Sequence, residues 1–245
     1  MEQFVGSEWG LACFFSSFRS NSRGVVILFN NNVEYKAKWV KKDEHGNLLI
    51  VDLEIGDYKI TLVNLYGPKN DDPGFYDHSC TILNDLDSTH IILCGDFNLV
   101  LSESLDCVNY VNLNNPLARN RVLNMCNDFD LLDVWRVHNP DSRRYTWRQH
   151  QTLKQSRLDY FLISSELNSK FTSCDIKPGY RTYHSLIDIK FDFSDIERGQ
   201  GYWKFSNLLL MDKIYVDVVK DTIWDLVEEY AVSPYLRSNL RNMHP

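Results

Sequence analysis

The chain lacks the sequence features of secreted, membrane-spanning and zinc-binding proteins. Its 245 residues contain no apolar run of about 18 residues, the length that a transmembrane helix requires. The amino end has no basic start followed by an apolar stretch, so no signal peptide is predicted. The six cysteines form no Cys-x-x-Cys pair, which excludes the usual zinc-site spacing and favours reduced thiols. We therefore predict an intracellular protein, nuclear or cytoplasmic, that is not secreted and has no membrane partner.

An excess of positive charge is also lacking. The formal net charge is −7, which argues against a protein that coats nucleic acid through bulk charge. A local phosphate-binding cleft remains possible, especially one whose own acids bind a metal ion. Hydrophobic residues make up 44% of the chain and aromatic residues 13%, which is enough for a sizeable core.

Apolar patterning predicts strands and helices mixed along the chain. Four strands at 25–29, 33–39, 48–53 and 58–65 are expected to form an antiparallel meander, with Asn30, Asn31 and Asn32 as its first turn. Helices are predicted at 72–86 and 115–129, and an amphipathic helix at 212–230. Shorter strands are predicted at 131–135, 145–148, 158–163 and 186–191.

The segment from Ile91 to Asn98, Ile-Ile-Leu-Cys-Gly-Asp-Phe-Asn, is the most informative part of the chain. Its apolar run ends at a glycine, as a buried strand does at a sheet edge. Residues two apart in an extended segment project to the same side. Asp96 and Asn98 should therefore reach one spot, with Phe97 turned into the protein. Such a pair suits binding a phosphate, a metal ion or an attacking water.

Four further segments carry polar groups beside apolar runs. Tyr66 ends a strand, Thr146 lies in a short aromatic strand, and His184 precedes another apolar run. Arg157 and Asp159 lie two apart at the start of a strand. Each has a structural explanation when taken alone: Tyr66 as a turn aromatic, Asp159 as a strand-end cap, and His184 as a core histidine.

The order of these motifs resembles the endonuclease/exonuclease/phosphatase superfamily. The series is Asn-x-Tyr, Gly-Asp-Phe-Asn, Thr-Trp, Arg-Leu-Asp-Tyr and His-Ser, over about Trp9 to Phe193. More narrowly, it resembles the apurinic-type endonuclease domain of LINE (non-LTR) retrotransposons. Residues 201–207 resemble the segment that links this domain to a reverse transcriptase.

The resemblance implies the α/β fold class, with a four-layer α/β/β/α sandwich. Two packed, mainly antiparallel sheets would be flanked by helices, and the site would lie at one rim of the sheets. Residues 1–195 would form this domain without its first strand and helix. Residues 196–245 would be a linker and amphipathic helix that lead to a reverse transcriptase.

The resemblance also implies a metal-dependent hydrolysis that nicks one strand of DNA. Magnesium is the expected cofactor and DNA the expected partner. Another chain, or the amino-terminal and reverse transcriptase segments of the family, would be a further partner that covers the strand edge left open.

Chemical roles follow for the matching residues. Asp96 would orient and deprotonate a water, and Asn98 would hold the phosphate or the metal ion. His184 would donate to a phosphate oxygen while Asp159 holds its imidazole in the charged form. Tyr66 would be a further phosphate donor. Thr146, Arg148 and Arg157 would meet the DNA.

Two departures from the family pattern concern the metal site. The family has a metal-binding glutamate in a Gln-Glu pair, whereas this chain opens at Glu8-Trp9-Gly10, which resembles the region just after it; Glu2 does not take that role. Tyr183 stands where the family has an aspartate. A neutral phenol is a poor ligand for a hard cation. We therefore predict that the metal site is not intact, with Asp96 and Asn98 as residual ligands, and that activity is impaired.

Two other functions remain open. The first is a non-catalytic module that binds nucleic acid or protein through a basic stretch interleaved with aromatic residues. The second is a phosphatase or phosphodiesterase of the same superfamily. The basic stretch consists of Arg143, Arg144, Arg148, Lys154 and Arg157, with Tyr145 and Trp147 between them.

Overall fold

Short strands make up most of the secondary structure. The computed structural model describes residues 13–19, 22–30, 33–86, 90–110, 115–149, 153–179, 182–193 and 211–229. In chain order the elements are β1 (Cys13–Arg19), β2 (Ser22–Leu28), β3 (Lys36–Lys42), β4 (Leu48–Ile55), β5 (Tyr58–Tyr66), α1 (Pro73–Asn84), β6 (His90–Asp96), β7 (Cys107–Val108), α2 (Pro116–Asp128), β8 (Leu131–Asp133), α3 (Val134–His138), β9 (Trp147–Arg148), β10 (Gln155–Ser156), β11 (Asp159–Ser164), a 3-10 helix (Ser165–Lys170), β12 (Phe171–Lys177), β13 (Leu186–Phe191) and α4 (Lys213–Glu229).

A six-stranded sheet with the order β3-β4-β5-β6-β11-β8 organises the first of two units, Met1–Gln200. Its β5 and β6 run parallel, and its other neighbouring strands run antiparallel. Smaller sheets pair β1 with β2, β12 with β13, and β10 with both β7 and β9. The second unit, Gly201–Pro245, contains α4. No helix among the described residues is long and apolar enough to cross a membrane.

The six-stranded sheet is covered on both faces. Helices α1 and α2 bury Tyr76 and Met125 against Leu93 on one face. On the other face, β2 packs Val25 and Phe29 onto β4 and β5. The pair β12–β13 packs beside Ile163 of β11. Two β layers with helices outside them confirm the predicted α/β class.

The predicted meander is only partly correct. Strands β3, β4 and β5 do form it, but β2 pairs with β1 in a different sheet and not with β3. The reason is that β2 is apolar enough to pack on the face of the central sheet. Tyr35 stacks on Phe29, with ring centroids 4.0 Å apart. Asn31 and Asn32 lie outside the described residues.

Other predicted boundaries need smaller corrections. The strand predicted at 131–135 ends at Asp133, whose carboxylate accepts from the Arg136 amide and starts α3. The strand predicted at 145–148 begins at Trp147. The helix predicted at 212–230 is observed as Lys213–Glu229, with Asp212 accepting from the Ile214 amide. The segments at 8–10 and 201–207 that entered the family comparison lie outside the described residues.

A buried ion network joins the small three-stranded sheet to the central sheet. Arg157 is 1% exposed and donates through Nε and Nη2 to both oxygens of Asp106, at 2.8 and 3.0 Å. It also donates to Asp133, at 2.9 and 2.5 Å, and Arg136 reaches Asp106 at 2.7 Å. The Arg157 side chain was predicted to meet DNA; the structure places it in the interior, paired with two acids.

Removing the Arg157 cation should destabilise the fold strongly. Arg157→Met leaves Asp106 and Asp133 short of a buried partner, and breaking such a pair costs about 3–5 kcal/mol. Urea unfolding followed by tryptophan fluorescence measures the loss. Lys38→Ala, which breaks the solvent-exposed pair with Glu54, is the control and should shift the urea midpoint little, because exposed ion pairs contribute little to stability. A loss of the same size in both variants would contradict the structural role of Arg157.

Candidate active site

Two carboxylates meet where neighbouring strands of the central sheet begin and end. Asp96 is the last residue of β6, and Asp159 is the first residue of β11. The antiparallel register places the two residues directly opposite each other. Tyr66, the last residue of β5, pairs with Asp96 on its other side. The order of the strands thus brings three polar side chains from distant parts of the sequence to one rim.

His184 completes the cluster from the other β layer. Its Nδ1 lies 3.0 Å from Asp159 Oδ2, and its Nε2 lies 4.0 Å from Asp96 Oδ2. An ionised carboxylate can only accept hydrogen bonds. The proton therefore lies on Nδ1, and Nδ1–H donates a hydrogen bond to Asp159. The imidazole therefore lies between the two acids, with its Nε2 edge toward Asp96.

The cluster changes the proton affinity of its members. Burial and, to a smaller extent, the neighbouring Asp159 charge together raise the pKa of Asp96 to about 6, although the Asn98 amide and His184 act in the opposite direction. The hydrogen bond to Asp159 raises the pKa of His184, against the effect of burial. Asp96 is therefore ionised at neutral pH, and the contact with Asp159 favours the protonated form of His184.

Asn98 adjoins Asp96 through a tight turn after β6. Its φ of 52° is in the left-handed region, and its amide donates to Asp96 Oδ1 at 2.9 Å. Its Nδ2 donates to the Gly67 carbonyl at 2.7 Å, which fixes the carboxamide. Phe97 between them is fully buried, as the alternation predicted.

Glycine is required where β5 and β6 approach most closely. Gly95 has a φ of +131°, and a Cβ there would lie 1.9 Å from the Leu65 carbonyl oxygen. Any side chain would push the strands that carry Tyr66 and Asp96 apart. The glycine that ended the apolar run in the sequence is thus a condition of the site's geometry.

The cluster lines a cleft of about 310 Å³. Tyr66, Asp96, Asn98 and His184 are half-buried at its wall. Sequence reasoning missed several further lining residues. Lys69 follows the turn after Tyr66 and could have been found by its charge, whereas Leu99, Val100 and Tyr110 carry no sequence signal. Trp147 and Leu158 also line the cleft and lie within the Thr-Trp and Arg-Leu-Asp-Tyr motifs.

The residues predicted to contact DNA lie in different environments. Arg148 is exposed and donates to Gln155 and Ser185. Thr146 is fully buried, and its hydroxyl accepts from two backbone amides. Tyr183 is 61% exposed, directly before His184.

Asp96, Asp159 and His184 could hold a metal ion, since one ligand atom from each lies within 4.8 Å of the others. The donor set favours a hard cation that keeps most of its water, because such an ion binds through one or two carboxylates. A protonated His184 cannot act as a ligand. The two carboxylates, with the Asn98 carboxamide beside them, are the groups that fit such an ion.

Solved structures of a phosphatase and of AP endonucleases share the fold of this chain at 16% to 19% identity. A 3′ phosphatase, NExo, from Neisseria bound to product DNA hairpin has a TM-score of 0.62 and 16% identity, covering 79% of this chain and 85% of that chain. An AP endonuclease from Archaeoglobus fulgidus has a TM-score of 0.61 and 19% identity, covering 78% and 83%. An AP endonuclease from Leishmania major has a TM-score of 0.56 and 17% identity, covering 72% and 69%.

A sequence relative agrees with the narrower resemblance to LINE elements. The transposon TX1 uncharacterized 149 kDa protein of Xenopus laevis is 27% identical over 224 residues, which is 88% of this chain. The chain spans 17% of the length of that relative. No family model matches the sequence.

Replacing Asp96 should stabilise the metal-free protein at high pH. Its pKa rises from an ordinary value of 3.8 to about 6 on folding, so the folded state holds this proton more tightly than the unfolded state. The resulting contribution to the free energy of unfolding is present at low pH and is lost as the pH rises from about 4 to 6. Each unit of pKa shift corresponds to about 1.4 kcal/mol. Asp96→Asn removes this loss and keeps the acceptor for the Asn98 amide.

We expect the free energy of unfolding of Asp96→Asn to exceed that of the unsubstituted protein by about 3 kcal/mol at pH 8, with the gain vanishing near pH 4. Urea unfolding in the presence of a chelator measures the difference. Asp141→Asn, an exchange at an exposed position, should show no such dependence on pH. Equal stabilities of Asp96→Asn and the unsubstituted protein at pH 8 would contradict the raised pKa of the Asp96 carboxyl group.

Proposed function

We propose that this chain hydrolyses phosphodiester bonds of DNA with the help of a divalent cation, most simply magnesium, and that it does so weakly. The observation that carries the proposal is the triangle of Asp96, Asp159 and His184, with distances of 3.0 and 4.0 Å from the imidazole to the two acids. Asp96 and His184 line an open cleft. The similarity to a transposon protein supports DNA nicking over the other activities of the superfamily.

The side chains divide the work of hydrolysis among them. Asp96, ionised above a pH of about 6, accepts a proton from the water that attacks the phosphorus. His184, kept protonated by Asp159, donates Nε2–H to a phosphate oxygen as negative charge develops there. Tyr66 and Lys69 line the same cleft and are placed to bind further phosphate oxygens. A bound cation would supply additional stabilisation of that charge, with Asp96 and Asn98 as the residues that would hold it.

A polymer fits the surface around the site better than a small phosphate ester does. Tyr66 and Lys69 also line a second, polar cleft of about 730 Å³ beside the turn between β3 and β4. A strand of DNA lying in the first cleft can therefore continue over polar surface. We further propose that residues 1–195 form the nuclease domain, and that residues 196–245 correspond to the linker that precedes a reverse transcriptase in related proteins.

Removal of either catalytic side chain should abolish nicking. Supercoiled plasmid is incubated with the protein and magnesium, and conversion to the open circle is followed on a gel. Asp96→Ala and His184→Ala should each lower the rate about 100-fold or more, the usual contribution of such groups. Asp141→Ala and His78→Ala remove the same side-chain types from exposed positions and should leave the rate unchanged.

Each other outcome of this assay points to a different function. Binding of plasmid without nicking, weakening steeply with salt, would replace the proposal with a non-catalytic nucleic-acid-binding module. Release of inorganic phosphate from an oligonucleotide with a 3′ phosphate, without plasmid nicking, would indicate a phosphatase, the activity named for the Neisseria protein.

The weak activity should not be restored by one added acid. Within the described residues, the cluster that could hold a metal ion has only two carboxylates, and Tyr183 offers a neutral phenol. We expect Tyr183→Asp to raise the nicking rate by less than about tenfold, because one exposed carboxylate adds little to cation affinity. The plasmid assay over a series of magnesium concentrations measures it. Brisk nicking by the unsubstituted chain, or a full rescue by Tyr183→Asp, would contradict the proposed impairment.

A further inference from the structure

Thr146 uses all its polar groups to connect the segments that carry the site. Its hydroxyl oxygen accepts from the amides of Leu158, at 2.9 Å, and Asp159, at 3.1 Å. Its own amide donates to the Ser156 carbonyl at 3.0 Å, and its carbonyl accepts from the Ser185 amide at 2.6 Å. The side chain has no exposed surface. A DNA strand in the cleft therefore cannot reach the hydroxyl without displacing these bonds.

The hydrogen bonds of Thr146 reach Asp159 and the residue next to His184, and Asp159 and His184 contact each other in the site. On one side the Thr146 hydroxyl holds the amide of Asp159 itself. On the other side its carbonyl holds Ser185, the residue after His184. The neighbouring bridge between Trp147 and His184 joins the same two segments. Thr146 thus connects the two segments whose side chains meet at the 3.0 Å contact between His184 Nδ1 and Asp159 Oδ2.

We propose that Thr146 is a positioning residue, which holds the start of β11 so that the Asp159 carboxylate meets His184, and that it does not contact DNA. A β-branched threonine suits this place because its methyl group packs in the interior while both lone pairs of its hydroxyl are used. The effect on the reaction rests on the proposed function, whereas the effect on the contact between Asp159 and His184 does not.

Substitutions at Thr146 separate positioning from mere stability. Thr146→Val keeps the shape and removes the acceptor of both amides, and Thr146→Ser keeps the acceptor and removes only the methyl group. Ser164→Ala is the matched control, because Ser164 Oγ accepts from the Ile91 amide at 2.8 Å at the far end of the same strand. If Thr146→Val does not fold, Thr146→Ala is measured in its place.

Two readouts are needed. The first is the low-field proton NMR signal of His184 Nδ1–H, which reports its hydrogen bond to Asp159 and requires no activity. The second is the division of any loss of nicking between kcat and KM. We expect Thr146→Val to lose the signal and to lower kcat about tenfold or more, with KM for plasmid DNA changed about twofold at most, since small misplacements of catalytic groups act on the chemical step.

Thr146→Ser should restore both readouts, and Ser164→Ala should leave both unchanged while it lowers the urea midpoint. A Thr146→Val protein that keeps the His184 signal overturns the inference. So does one in which only KM rises, because Thr146 would then contact DNA. If the unsubstituted protein shows the His184 signal but never nicks, the proposed function fails, and the NMR comparison still decides the role of Thr146.

Discussion

The rest of the site depends on one constraint, which is that two acidic residues are held opposite each other on neighbouring strands. The register of β6 and β11 places Asp96 opposite Asp159, and their repulsion, added to burial, gives Asp96 a pKa of about 6. Such an arrangement persists only where the surrounding structure fixes it. Gly95 allows the close approach of β5, and the imidazole of His184 lies between the carboxylates. The buried Arg157 network holds the strand from which Asp159 emerges.

The sequence predicted the parts of the fold that local chemistry decides. Pro73 and Pro116 open helices where proline is tolerated, and β6 ends at the rim one residue after the glycine that follows the apolar run. It could not predict partners that lie far apart in the chain. The acids that bury Arg157 are 51 and 24 residues away, so an arginine two positions from Asp159 was taken for a surface cation. The pairing of β1 with β2 was missed for the same reason.

For the site, too, local motifs could be predicted from the sequence, whereas contacts between distant segments could not. Tyr66, Asp96, Asn98, Asp159 and His184 were predicted from motifs. Four of them line one cleft, and Asp159 contacts one of these four, His184. Thr146 was expected to face DNA because of the family resemblance, yet its hydroxyl accepts from backbone amides. Short polar residues between aromatic ones fit either environment, and only the tertiary pairing of β9 and β10 decides between them. At 16% to 19% identity to its structural neighbours, this chain shares their fold.

The strand at one edge of the central sheet has a further consequence. In β3 the lysines at 36, 38, 41 and 42 are exposed, and among the described strands only β4 pairs with it. An edge with free backbone groups is a template for another chain to add to, and a row of ammonium groups makes such addition unfavourable. These charges would protect the protein from aggregation through its sheet in the crowded cell, at a place where the hydrogen-bonding pattern alone would invite it.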